Sequence, residues 1–177
     1  KVLEECKESV DSKKLIISIA VGIPISLYKR VLGNESKVIR TMPNTPALVG
    51  EGITLISHDE NIDKEDLETV KSLFNCVGKT EILDERLMCE VTALTSSSPA
   101  YVYMFIEAMA DAAVLSGLPR NLSYKLAAQA ILGSAKMVLE TGKHPGELKD
   151  QVCSPAGTTI EAVKVLEKNR FRYTVIE

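Results

Sequence analysis

The chain has no cysteine pair at metal-ligand spacing. Cys6, Cys76, Cys89 and Cys153 stand apart, none with a histidine beside it. That pattern excludes the common zinc arrangements, implies no metal, and reads as a reduced, cytoplasmic thiol inventory. Positive charge is not in excess. The formal net charge is -3 and no basic run occurs, which speaks against a nucleic-acid partner. There is no apolar run long enough to cross a bilayer, so no membrane association is expected, and nothing resembles a signal peptide. Internal repeats and low-complexity segments are also missing. The first residue is not methionine, and the charged amphipathic opening KVLEECKESVDSKK reads as a helix entered midway, so a fragment of a longer protein is expected. What remains is ordinary for a soluble globular protein: 45% hydrophobic and 25% charged residues over 177 positions, enough for a sizeable core.

The first half alternates strand-like and helix-like segments. Lys14–Ala20 is a continuous apolar, β-branched run, as in a strand buried on both faces of a parallel sheet. Further strands are expected at Lys37–Met42, Ile53–Ser57 and Lys79–Leu83, with helices at Pro24–Leu32 and Asp63–Asn75 between them. Strands separated by helices of this size suggest βαβ units and a parallel sheet. The MPNTP stretch (Met42–Pro46) leaves its strand as an irregular loop, because two prolines forbid helix and remove ladder donors. It is expected to border a site as wall rather than as catalyst. One motif is conspicuously missing: no G-x-G-x-x-G opens a βα turn, so the first units of any Rossmann-type sheet would lie upstream of Lys1.

After Asp84 the texture becomes helical. Ser98-Pro99 reads as an N-cap followed by proline at the first helical position. Leu122–Glu140 is apolar or small almost all round, so it needs cover on several sides. A partner subunit and the centre of a monomeric bundle are the two sources of that cover. His144, before Pro145 at a helix junction, is expected to be structural. Near the end, KDQVCSPAGTTIEAVKVLE places Ser154, Gly157, Thr158 and Thr159 between two helical segments. Thr158-x-x-Glu161 has capping-box spacing, which predicts Thr158 as the cap. The small residues and the start of a helix also suit a carboxylate or phosphate. Cys153 has no neighbouring base and is expected to be inert, so the chemistry here is binding rather than covalent.

Several separated blocks carry a resemblance. PGELKDQVCSPAGTTIEAVKVLE, ISIAVGIPI, VIRTMPNTPALVGEG and SSSPAYVYMFIEAMADAAVLSGLPR are similar, in this order, to pyrroline-5-carboxylate reductases. The resemblance implies an α/β part followed by an all-α part. Residues 1–84 would be the C-terminal portion of a Rossmann-type parallel sheet, and residues 85–177 an all-helical dimerisation and substrate-binding domain. It implies hydride transfer from NADPH or NADH to the C=N carbon of 1-pyrroline-5-carboxylate, giving L-proline, by a homodimer or higher oligomer. Carried over by position, Thr159 is the catalytic candidate, its hydroxyl serving the ring nitrogen. Glu85, Ser154, Gly157, Thr158 and Thr159 are the substrate-binding candidates. Ile19, Ala20, Val21, Ser97 and Gln151 are the cofactor-binding candidates, Gln151 standing where the family commonly has asparagine. Ser96-Ser97-Ser98 replaces a Gly-Ser-Gly pattern, and Ala156 a glycine expected to be exchangeable with little effect. Because the glycine-rich turn is absent, little turnover is expected of the 177-residue chain alone. The rival readings are a non-enzymatic helical dimerisation module and a hydroxy-acid reductase. The latter chemistry usually calls for a lysine or histidine acid/base, and none is placed near this loop.

Overall fold

The structure, a computed structural model, describes residues 2–11 and 13–177; Lys1 and Ser12 of the charged opening stretch lie outside the described residues. By compactness the chain divides into two units, one ending at Met104 and one spanning Phe105–Glu177.

The first unit is a four-stranded sheet with helices. In chain order it contains α1 (Val2–Cys6), β1 (Leu15–Ser18), α2 (Ile25–Leu32), β2 (Lys37–Met42), β3 (Gly52–His58), α3 (Lys64–Asn75) and β4 (Gly78–Ile82). The strands lie in the order β1-β2-β3-β4. Period-two alternation sorts their side chains. Ile16 and Val38 face a cluster with Ile25 and Tyr28 of α2, while Ile17, Ile39 and Ile56 face one with Val70 of α3. Val38 and Ile39 are both fully buried, so β2 is covered on both faces, whereas β1, whose continuous apolar run predicts such cover, is only half-buried over Leu15–Ile17. Asp63 caps α3, its carboxylate accepting the Asp66 amide at 2.9 Å.

β1 with β2 and β3 with β4 are parallel, as expected, but β2 and β3 run antiparallel. The reason lies in the connection. Residues 43–51 between β2 and β3 hold two prolines and a 3₁₀ turn, Thr45–Val49. A parallel crossover needs at least ~10–12 residues including its helix. This link is too short and turns straight back. Both parallel pairs, by contrast, have a helix in the connection.

Ser98 is not an N-cap. A π-helical segment, Ala93–Ser97, runs into α4 (Ser98–Leu115), and Ser98 already has helical dihedrals. A proline inside a helix forfeits the hydrogen bond to the carbonyl four residues back, and the π segment lies where that defect falls. Residues before α4 pack on the sheet: Met88 is fully buried against Met42 and Leu55.

The second unit holds α5 (Arg120–Thr141), α6 (Pro145–Val152), α7 (Thr158–Lys168) and α8 (Phe171–Ile176). Phe105 and Phe171 stack with ring centroids 5.9 Å apart. Only Ser123 and Ala127 of α5 are buried, while Leu126, Leu132, Met137 and Leu139 are exposed. The apolar circumference of α5 is therefore not wrapped by the other helices of its unit. Among the described residues no helix is long and apolar enough to cross a membrane.

Candidate active site

At the end of β1 the chain turns outward through Ile19, Ala20 and Val21, all exposed, with Gly22 at positive φ. Ser18 secures this turn. Its hydroxyl accepts the Ala20 amide at 3.2 Å and contacts the Tyr28 hydroxyl, and its carbonyl accepts from Thr41 Oγ1 at 3.1 Å. Ile19 at 65% and Val21 at 71% exposure form an apolar rim at the carboxyl end of a parallel strand pair. That is where ligands of such sheets bind.

The end of β2 sits at the same edge. Asn44 follows it in extended conformation, at the N-cap position of the 3₁₀ turn, without capping that turn. Its Oδ1 accepts the Ile53 amide at 2.9 Å, and its Nδ2 donates to the Thr95 carbonyl at 3.0 Å. The π segment is thus tied to the MPNTP loop. Ser97 lies in that segment, half-buried, next to Ser96, whose buried hydroxyl has no partner among the described residues. Orphaned buried polar groups are rare, and π segments recur at functional sites.

Glu85 begins a short 3₁₀ turn, Glu85–Leu87. Its Oε1 accepts the Ile25 amide at the start of α2 at 2.8 Å and lies 3.2 Å from Nη1 of Arg40. Arg40 is buried in β2, with its side chain 6% exposed, whereas that of Glu85 is 30% exposed. The carboxylate therefore offsets a buried cation and meets the positive end of a helix. Neighbouring Asp84 takes Arg86 in a two-pronged pair, Nε to Oδ1 at 3.0 Å and Nη2 to Oδ2 at 2.7 Å. That side-chain bond, with the Arg86 amide, lowers Asp84 to about 2.

In the second unit Gln151 lies in the last turn of α6, Ser154 and Gly157 in the turn that follows, and Thr158 and Thr159 in the first turn of α7. His144 caps α6, Nδ1 accepting the Gly146 amide at 3.0 Å, in line with its structural assignment. Gln151 Nε2 donates to Glu147 at 3.1 Å. The Gly157 amide closes a turn on the Ser154 carbonyl at 3.0 Å, and Ala156 adopts φ 57°, the left-handed region. A Cβ on Gly157 would displace the Ser154 hydroxyl and lie a tight 3.1 Å from the Ser154 carbonyl oxygen, so glycine keeps this turn close. The capping-box expectation fails by one residue. Gly157 is the N-cap, no side chain caps α7, and Glu161 pairs with Lys164 at 3.0 Å instead of reaching back. The left-handed Ala156 uses up one residue of the turn, so Thr158 is already helical. The first amides of α7 are consequently left without side-chain acceptors. Among the described residues neither the Thr158 nor the Thr159 hydroxyl is engaged; Thr158 is exposed and Thr159 half-buried.

The structure thus places Ile19–Val21 on one strand end, and Gln151 at the end of α6 with Ser154, Gly157, Thr158 and Thr159 at the entry of α7, in different units. Reasoning from sequence missed Arg40 and the bridging of Asn44. The available signals were a lone cation inside a β-branched run and an amide between two prolines.

The family described as pyrroline-5-carboxylate reductase dimerisation matches residues 85–177. The chain belongs to the pyrroline-5-carboxylate reductase family. It is 55% identical to the pyrroline-5-carboxylate reductase of Escherichia coli over 177 residues, all of this chain and 66% of that protein. With the enzyme of that name from Arabidopsis thaliana it shares 46% identity over 176 residues, 99% of this chain and 63% of the relative. Among solved structures, the Plasmodium falciparum pyrroline carboxylate reductase with NADP bound is 41% identical, with a TM-score of 0.90 over 99% of this chain and 70% of that one. The Coxiella burnetii pyrroline-5-carboxylate reductase is 37% identical, with a TM-score of 0.92 over 99% and 66%. The chain therefore spans about two thirds of the length of family members. Its match to these structures identifies the sheet as part of a Rossmann-type domain and the helices after it as the family's dimerisation part.

Proposed function

We propose that this chain forms the nicotinamide-facing and substrate-binding parts of an NAD(P)H-dependent pyrroline-5-carboxylate reductase, working as a homodimer or higher oligomer. The observation that carries the proposal is the uncapped start of α7, with two unengaged threonine hydroxyls, in a chain of this family. A helix start with free amides holds a carboxylate through charge-assisted hydrogen bonds. In 1-pyrroline-5-carboxylate the carboxylate and the ring nitrogen flank the same ring carbon. With the carboxylate on the α7 amides, the Thr159 hydroxyl hydrogen-bonds the nitrogen and Thr158 and Ser154 border the ring. Gly157 allows the close approach.

When bound, a reduced nicotinamide supplies the hydride. The apolar rim of Ile19, Ala20 and Val21 fits one face of such a flat ring, with Ser97 of the same unit as a further contact; Gln151 is the cofactor-binding candidate of the second unit. As the imine carbon gains the hydride, the C=N electron pair moves onto nitrogen. A protonated or hydrogen-bonded nitrogen eases that shift, and this is the part assigned to Thr159. The residues otherwise orient the imine and exclude water. No strong side-chain base is required. Glu85, whose Oε1 is shared by Ile25 and Arg40, is the substrate-binding candidate of the first unit. The exposed apolar side chains of α5 are the surface that a second copy covers. The four free cysteines accord with a cytoplasmic setting.

The test is steady-state kinetics of the full-length protein with NADPH and with NADH. Thr159→Ala is expected to lower kcat or raise the KM for the imine by about 10-fold or more, the loss of a bond made to the reacting group. Unchanged kinetics with both Thr158 and Thr159 replaced by alanine would refute the site. Self-association without imine reduction would favour the non-enzymatic module.

A further inference from the structure

Asn44 makes a connection that its place in the chain does not require. Asparagine at the N-cap position of a turn ordinarily bonds its own following amides. Here both ends of the side-chain amide leave the loop, one for the start of β3 and the other for the π segment. The acceptor on the π side is informative. Thr95 is four residues before Pro99, and proline has no amide to give that carbonyl. Asn44 Nδ2 supplies the missing donor at 3.0 Å. A second contact runs in parallel, with Thr92 Oγ1 at 3.6 Å from Met42 Sδ. The MPNTP loop has few backbone donors, since Pro43 and Pro46 contribute none, so Asn44 is its main polar tie to both neighbours.

The loop starts at the carboxyl end of β2, beside the exposed Ile19–Val21 rim of its parallel neighbour β1. We infer that Asn44 is a positioning residue for imine reduction, clamping the loop after β2 to the π turn so that the ligand-facing edge of the sheet keeps one geometry. This inference rests on the function proposed above. The clamp acts through the loop and not by touching substrate, so it governs kcat more than binding. Displacement of a site by about 1 Å is worth up to about 100-fold in rate.

Pro99 provides the discriminating control. Pro99→Ala returns a backbone amide to the helix, which can satisfy the Thr95 carbonyl without Asn44. In full-length protein, Asn44→Ala is expected to lower kcat by about 10- to 100-fold with the imine KM changed less than about threefold. Adding Pro99→Ala is expected to recover the thermal midpoint but not kcat, judged against Pro99→Ala alone. Asn44→Asp serves if the alanine variant does not fold. It keeps the acceptor for Ile53 and sets a carboxylate oxygen against the Thr95 carbonyl, and the same loss of kcat is expected. Recovery of kcat together with the midpoint would mean that Asn44 only satisfies a carbonyl, and would overturn the inference. Hydrogen exchange at the Ile53 amide reads the clamp independently of activity, and an increase of about 10-fold or more is expected in Asn44→Ala. Unaltered Ile53 exchange overturns the clamp even in an active enzyme. A wild-type protein that reduces no imine overturns the functional reading instead.

Discussion

Replacing Glu85 by glutamine tests the most consequential charge pair in the first unit. The amide oxygen of glutamine still accepts from the Ile25 amide, so the start of α2 keeps its acceptor. What disappears is the negative charge 3.2 Å from Arg40, a guanidinium on a side chain only 6% exposed. Removing one partner of a fully buried pair costs about 3–5 kcal/mol. Glu85 itself is 30% exposed, so water tempers the field, and about 2–3 kcal/mol is the appropriate expectation. For a chain of this size each kcal/mol moves the midpoint by about 2–4 °C, which predicts a fall of about 4–12 °C. The assay is thermal unfolding of the 177-residue chain followed by circular dichroism at a fixed protein concentration. Arg40→Met added to Glu85→Gln is expected to return much of the loss, because the cation that lacked a partner is gone and an apolar side chain takes its place. A Glu85→Gln midpoint within about 1 °C of wild type, on the same scale, would refute the reasoning. So would simple additivity of the two substitutions.

Two further outcomes concern single residues. Ser96→Ala removes a buried hydroxyl that has no partner among the described residues, and is expected to stabilise the chain by about 1 kcal/mol in a denaturant titration; a loss of stability would show that the hydroxyl is satisfied. Ala156→Gly removes a side chain from a left-handed backbone at φ 57°. Relief of about 1–2 kcal/mol, set against the greater freedom of unfolded glycine, predicts a net gain of about 0.5–1 kcal/mol. A drop in midpoint would contradict it.

The elements legible in the sequence are those whose cause is local. A continuous β-branched run marked β1, strand-like segments between helices and loops marked the other three strands, and Asp63 marked the start of α3. The direction of β3 was not legible, because strand residues look alike in either direction and only the length of the link decides. Two helix starts were misplaced for related reasons. Proline at 99 signals a first turn and an interior defect equally well, and the threonines at 158 and 159 compete with Gly157 for the cap. At the candidate site, the Ser154–Thr159 turn and the Ile19–Val21 strand end were found as contiguous motifs. The ties of Glu85 were not, since its partners lie 45 and 60 positions away and nothing in a linear pattern links them. Asn44 was seen only as a wall, because its second partner lies 51 positions downstream.

The spatial order of the four strands is also their order in the chain. Among the described residues, every ladder then forms between strands that follow one another, and none of these pairings waits for a distant segment to be made. Loop closure is correspondingly cheap, and rates of folding rise as contacts become more local. Since N-terminal units fold first during synthesis, these strands can pair while the helices after Met104 are still being translated. The apolar face of α5 thus emerges only after these strands are hydrogen-bonded to one another, with fewer unpaired edges for it to join.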